Sequence, residues 1–363
     1  MALVSEALKN QNSPYRVLFF TGNRGCGKTA LLERLSQLAA DARWLTVDVH
    51  SANASESIVR KLVGGTARTT ERVVGPAVGA AGLSLSVGHV AKTVSAAYDA
   101  LDLSDVLLET CRSLKRHEGV FITVDEIQKI PESDMENLCA AVQMSLRKGM
   151  PVALIMAGLP GAKERVSSYK GRTFMQRVTD MRLDSLLVDE TFEAFRRLTG
   201  LLPNCEVTDG AIEELARYSQ GYPYLMQLIG FHTVEALGPS LPVGADVIDC
   251  GLVEFAKYAA YDAYRANVLD PMVRSLSCEQ HAYLRAMAAC MGTDGRSGTG
   301  DVARQMGKTP QQLSSTRQRL LFKWLIAEDG RGFVRYNLPR MRQYFTDPLE
   351  QVANQGPNVW KHE

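Results

Sequence analysis

Gly22-Asn23-Arg24-Gly25-Cys26-Gly27-Lys28-Thr29 is the stretch on which the reading of this chain turns. It follows a short apolar run, residues 17–20, and opens directly into a helical pattern over residues 30–38. Between a strand and a helix, glycines at 22, 25 and 27 let the backbone curl, so that successive N–H groups face one point beside the positive end of the helix. Such a cradle suits a phosphate. Lys28 adds a point charge for the β- and γ-phosphates, and the Thr29 hydroxyl is the expected Mg²⁺ ligand. The expected binding set is Gly22, Asn23, Arg24, Gly25, Cys26, Gly27, Lys28, Thr29 and Ala30, with ATP and Mg²⁺ as cofactors. A glycine-rich turn with no ligand is the plain alternative, and the position between strand and helix weighs against it.

A second motif completes the pattern. Val120-Phe121-Ile122-Thr123-Val124-Asp125-Glu126 is an apolar strand ending in two acids. Asp125 is expected to hold Mg²⁺, usually through water, and Glu126 to orient and deprotonate the attacking water. A strand that merely ends in two solvated acids loses weight once the phosphate loop stands upstream. The Glu beside the Asp favours hydrolysis over phosphoryl transfer to a substrate; a kinase or GTPase reading requires Glu126 to be irrelevant. Cys26 leaves two readings open. Its thiol, at a helix N-terminus, can be acidified and made reactive, or it is only a small residue that fits.

The remainder of the chain supplies a setting. Its 363 residues favour two or three domains, and 45% hydrophobic with 22% charged residues is the balance of a soluble globular protein. The net charge of +1 gives no overall attraction to nucleic acid or membrane, so a basic surface must be local. Seven scattered cysteines, with no Cys-x-x-Cys pair and an odd count, fit a reducing compartment without structural zinc. No secretory signal opens the chain, and the expected location is the cytoplasm. Residues 73–91 carry no formal charge, but four glycines and a proline make poor material for a spanning helix. Residues 83–88 alternate apolar and polar, as a half-buried strand does, so no membrane partner is expected.

Apolar runs at residues 17–20, 44–49, 120–124, 152–157 and 181–186 alternate with helical patterns such as 29–40 and 135–147. That order predicts an α/β fold: a parallel sheet covered on both faces, as in the ASCE-type P-loop NTPase core. The core is expected over residues 1–187, with an insertion at about 64–102. Beyond Asp189, a plausible N-cap, helical patterns at 191–199, 209–220 and 223–237 predict a small helical lid over 188–270. After a break at Asp270-Pro271, patterns at 279–291, 300–306 and 310–324 precede two short strands around Asp329-Gly330-Arg331-Gly332. This is the order of a winged helix-turn-helix over 271–345, with a tail at 346–363.

With these residues in view, the chain resembles the AAA+ and STAND branch of P-loop ATPases over residues 16–345. It is similar to bacterial ATP-binding proteins related to the replication-initiator ATPases. The carriers are Gly22 to Thr29, Asp125-Glu126, Ala157-Gly158-Leu159-Pro160, Gly221-Tyr222-Pro223-Tyr224 and the terminal module. The resemblance implies that Pro223 lies near the adenine or phosphates and reports nucleotide state to the lid; a helix-starting proline is the other reading. It implies that Arg177, or the competing Arg172, reaches a phosphate bound to a neighbouring subunit in a nucleotide-dependent homo-oligomer; both are otherwise surface arginines. One departure stands out. The fourth strand ends in Ile155-Met156-Ala157-Gly158, with no polar residue of the kind AAA+ enzymes use there, so slow ATP hydrolysis is expected.

Between residues 278 and 345 eleven Lys and Arg face five acids, a net of +6 in a chain whose total is +1. In the third helix Leu313, Leu320, Leu321 and Trp324 can face the core, leaving Gln311, Gln312, Ser314, Ser315, Arg317 and Gln318 outside. Arg317 and Arg319 with Arg331 and Arg335 of the wing are the expected contacts to double-stranded DNA. The expectation is an ATPase switch in which ATP or ADP sets assembly and DNA engagement. The competing reading is a signalling or scaffold ATPase whose winged helix binds a protein effector.

Overall fold

The computed structural model describes residues 1–49, 54–71, 102–114, 119–167, 172–202, 205–237 and 246–346. They gather in two compact units: Met1–Gly22 with Lys28–Leu183, and Asn23–Gly27 with the described residues from Asp184 onward.

In the first unit the order is α1 (Ala2–Lys9), β1 (Val17–Thr21), α2 (Lys28–Asp41), β2 (Leu45–Val49), α3 (Ala54–Glu71), α4 (Leu103–Ser113), β3 (Val120–Val124), α5 (Glu132–Arg147), β4 (Val152–Gly158), α6 (Ala162–Ser167), α7 (Arg172–Gln176) and β5 (Thr179–Arg182). The five strands are parallel, in the order β2-β3-β4-β1-β5, so one strand separates β1 from β3. This is the expected α/β P-loop core. β1, β3 and β4 are buried along their whole length, which is why they read as unbroken apolar runs. Successive residues on a strand point to opposite faces. Phe19, Ile122 and Leu154 therefore join Ile58, Leu107 and Leu138 in one core, while Leu18, Phe121 and Ile155 join Leu35 in the other.

The fifth strand departs from expectation. It spans Thr179–Arg182 and not 181–186, and alternates half-buried with exposed residues. As the last strand in the order it needs a ladder to β1 alone, so no apolar run marks it; Thr21 donates to Asp180 Oδ1 at 2.8 Å. Residues 64–71 continue α3 as helix. The expected insertion beyond them, the charge-free stretch at 73–91 and the strand-like run at 83–88 lie outside the described residues. Among the described residues no helix is long and apolar enough to cross a membrane.

The second unit carries α8 (Val188–Thr199), β6 (Cys205–Val207), α9 (Asp209–Ser219), α10 (Pro223–Ala236), β7 (Asp246–Ile248), α11 (Cys250–Tyr264), α12 (Asp270–Arg274), α13 (Cys278–Cys290), β8 (Arg296–Gly298), α14 (Thr299–Gln305), α15 (Ser314–Phe322), β9 (Ile326–Glu328), β10 (Phe333–Tyr336) and α16 (Met341–Thr346). β6 and β7 form a parallel pair, and β8-β10-β9 an antiparallel sheet. Three local expectations are corrected. α8 is capped at Leu187, whose N–H donates to Glu190 Oε2 at 2.9 Å, so Asp189 lies inside the first turn. The chain does not break at Asp270-Pro271: a π-helical stretch, Arg265–Leu269, leads straight into α12. Pro271 is thus the second residue of α12, directly after the π-helical stretch. β8 was not foreseen, and the helix expected at 310–324 is shortened to Ser314–Phe322. The tail beyond Thr346 lies outside the described residues.

Gly221 pins a turn in this unit. Its φ is +70°, and an added Cβ would stand 2.1 Å from the Leu186 carbonyl oxygen, a backbone atom. Leu186 N–H also donates to the Gly221 carbonyl at 2.9 Å, so neither strand of the contact can withdraw freely. Gly221→Ala is expected to destabilise the fold by about 2–4 kcal/mol, through backbone strain and a clash that only main-chain movement relieves. Chemical denaturation would measure it; an unchanged midpoint would contradict it.

Candidate nucleotide site

Lys28 and Thr29 sit in the first turn of α2, where the sequence leaves glycine-rich loop for helix formers. Asp125 and Glu126 follow β3 directly. All four belong to the first unit, and the sheet brings two of them into contact across 96 positions of chain: Thr29 Oγ1 donates to Asp125 Oδ2 at 2.6 Å. Asp125 is buried, its own N–H donating to the Val49 carbonyl at 3.1 Å. A hydroxyl and a carboxylate oxygen side by side form the oxygen-donor pair that Mg²⁺ takes together with water and substrate phosphates. The residues present therefore fit the metal, and Thr29 and Asp125 are those that would hold it.

The Lys28 side chain is 5% exposed, and its ammonium donates to the Gly22 carbonyl at 2.9 Å. A buried amine held against a carbonyl keeps three donors, enough to serve that carbonyl and a phosphate at once. Glu126 is held in an unusual backbone conformation, φ 52° and ψ 48°, which a non-glycine residue adopts at a cost. Its N–H donates to Asp125 Oδ1 at 2.8 Å, tying the second acid to the first. Gln128 Nε2 donates to Glu126 Oε2 at 2.7 Å, and Lys129 Nζ stands 3.5 Å from the same oxygen.

The loop segment Asn23–Gly27 belongs with the second unit. Gly25 and Gly27 take φ of +78° and +90°, the left-handed region where glycine is at home, so the glycines fall where the curl needs them. Tyr222 donates its hydroxyl to the Arg24 carbonyl, Tyr224 its N–H to the Gly25 carbonyl at 3.1 Å, and Asn23 its Nδ2 to the Trp324 carbonyl at 3.1 Å. Pro223, the first residue of α10, stands between the two tyrosines, its Cγ 3.9 Å from where a Gly27 Cβ would be. Burial pushes the Tyr222 phenol well above its usual range, so it remains a donor. Cys26 is buried, which suits the packing reading of that residue better than the reactive one.

Of the remaining expected residues, Ala30 is exposed on the first turn of α2, and Arg177 is exposed just beyond α7. Among the described residues Arg177 makes no hydrogen bond to any member of the site. The Arg172 side chain lies outside the described residues. Sequence reasoning missed Gln128, Tyr222, Tyr224 and the Trp324 carbonyl. The motif Gly221-Tyr222-Pro223-Tyr224 was a usable signal for the tyrosines; for a carbonyl there is none.

Residues 11–166 match the family described as AAA domain, and residues 266–345 match one described as Domain of unknown function (DUF8462). No curated protein matches the chain. Among solved structures the chain is similar to the ORC2 protein of Aeropyrum pernix in its ADPNP-ADP complexes, at 14% identity and a TM-score of 0.60, over 98% of this chain and 93% of that one. The ADP form of the same protein gives 15% identity and a TM-score of 0.53, over 97% and 92%. Cdc6p of Pyrobaculum aerophilum gives 16% and 0.48, over 98% and 90%, a score at which the likeness carries no weight. Identities this low speak to fold. Residues 11–166 are similar to an AAA domain, and the core has the P-loop NTPase fold also seen in the ORC2 protein.

Proposed function

We propose that this protein binds and hydrolyses Mg·ATP and uses nucleotide state as a switch, with double-stranded DNA as its partner. The observation that carries the ATP half is the Thr29–Asp125 contact, on a sheet with one strand between β1 and β3. In this reading the amides of Gly22 to Ala30 and the Lys28 ammonium bind the phosphates. Bound Mg²⁺ would neutralise phosphate charge there. Glu126 takes a proton from the attacking water, and Arg177 stays available to a nucleotide on a neighbouring copy. ATP titration with and without magnesium tests it, together with release of inorganic phosphate. Absence of binding in both would end the reading.

The switch is supported by the company the loop keeps. Asn23–Gly27 receives hydrogen bonds from Tyr222 and Tyr224, and gives one to Trp324 in the turn between α15 and β9. Amides turning toward a phosphate would disturb those bonds, so occupancy has a route to Pro223, to a lid over 188–270 and to a winged helix over 271–345. A nucleotide-dependent homo-oligomer in the cytoplasm fits this reading. None of its seven cysteines is joined in a disulfide.

For DNA, Arg319, Arg331 and Arg335 are exposed, while Arg317 is half-buried with its charge beside Tyr283. Arg335 also stands 3.9 Å from Asp329, which weakens it as a phosphate ligand. Arg319→Ala with Arg331→Ala is therefore the sharper test. Binding to random duplex should fall about tenfold or more at moderate salt, and the slope of log affinity against log salt should shrink by about two. An unchanged slope would remove the DNA part. A protein effector remains the second reading, favoured by Phe322 and Phe333, exposed on the same module; unchanged gel mobility of random duplex with and without ATP would support it.

A further inference from the structure

The end of β4 lacks a polar side chain, yet the place is served from elsewhere. After Glu126 the chain makes a single 3-10 turn, Ile127–Lys129, closed by the Ile130 N–H on the Ile127 carbonyl at 3.1 Å. That turn brings Gln128 back against β4: its Oε1 accepts the Leu159 N–H at 3.2 Å, while its Nε2 donates to Glu126 Oε2 at 2.7 Å. The two ends of the amide have opposite needs, a donor on one side and a carboxylate on the other. A flipped amide would set oxygen against oxygen and N–H against N–H, so the two partners lock the orientation. Gly158 keeps this possible, since a Cβ there would press to 3.1 Å from Gln128 Oε1 and 2.9 Å from the Ala162 Cβ. Gln128 is thus a strut from Leu159, just past the end of β4, to the second acid. Both of its neighbour contacts, Gln128 and Lys129, fall on Oε2 of Glu126. Neither of these two contacts falls on Oε1.

We infer that Gln128 is the positioning residue of the hydrolytic reaction: it holds the Glu126 carboxylate against the end of β4, with Oε1 turned to the attacking water, in the role that β4 itself cannot fill. The inference rests on the hydrolytic reading above and names a residue that reading does not contain. A carboxylate freed to swing by an ångström or so loses alignment worth up to about 100-fold in rate without any change in ground-state binding.

The test compares the full chain with Gln128→Ala and with Gln128→Leu, which keeps bulk but not hydrogen bonds. Single-turnover release of phosphate from radiolabelled ATP gives the rate, and titration of a fluorescent ATP analogue gives affinity. Both variants should lose about 10- to 100-fold in rate while binding ATP within about twofold of the native chain. The same change in a Glu126→Gln background should cost nothing further, because the strut then has no base to hold. Native-like rates in both variants, or an equal loss on top of Glu126→Gln, would overturn the inference while leaving hydrolysis intact. A native chain that binds ATP and never cleaves it would overturn the hydrolytic reading, and this inference with it.

Discussion

Lys28→Ala is expected to weaken ATP binding at least about 100-fold, close to loss of binding at micromolar protein. A charge-assisted hydrogen bond contributes about 1.5–3 kcal/mol, and Lys28 is expected to serve both the β- and γ-phosphates. The pair together, about 3–6 kcal/mol, exceeds the roughly 2.7 kcal/mol that a 100-fold change requires. The native side chain is buried and donates to the Gly22 carbonyl, so truncation leaves that backbone acceptor unpaired. Fold stability should therefore fall by only about 1 kcal/mol, and a melt without nucleotide separates the two effects. Calorimetric titration with Mg·ATP is the measurement. Affinity within about threefold of native would mean that the loop is not where ATP is held.

Glu126→Gln should act on the other half of the cycle. General-base catalysis contributes about 10²–10⁴ in rate, and a carboxamide cannot take the proton. Turnover is thus expected to fall by that factor while affinity holds, since the phosphates and metal are assigned to Lys28, Thr29 and Asp125. Its fold should survive: a Gln oxygen at 126 can still accept the Gln128 Nε2 proton, and the N–H to Asp125 Oδ1 is untouched. Phosphate release followed beside ATP affinity would decide the matter. Undiminished release would turn attention to phosphoryl transfer or to a nucleotide held without chemistry.

The parts of this protein that sequence reading reached are those whose causes are local. β1, β3 and β4 were legible because burial on both faces demands consecutive apolar residues, and α2 because the loop's glycines stop where helix formers begin. β5 starts two residues and ends four residues earlier than expected, since an edge strand leaves no apolar trace. Helix ends were misjudged where a partner outside the motif set them, as at Leu187, whose cap is the Glu190 carboxylate. The glycine loop and the two acids were named in advance, with Thr29 and Asp125 expected at one metal; the direct hydrogen bond between them was not foreseen.

The amino-acid order alone determined that a glycine loop would curl between a strand and a helix, that a second apolar strand would end in Asp125 and Glu126, and that a basic module would close the chain. Those outcomes need only neighbours in sequence: backbone freedom at glycine, period-two burial, and charge count. Tertiary structure decided which strand stands between the two motifs, that Gln128 reaches the end of β4, and that Tyr222, Tyr224 and the Trp324 carbonyl hold the loop. Such contacts join residues up to 301 positions apart, as Asn23 and Trp324 are. They follow from how buried faces pack against each other, and no local pattern along the chain encodes them.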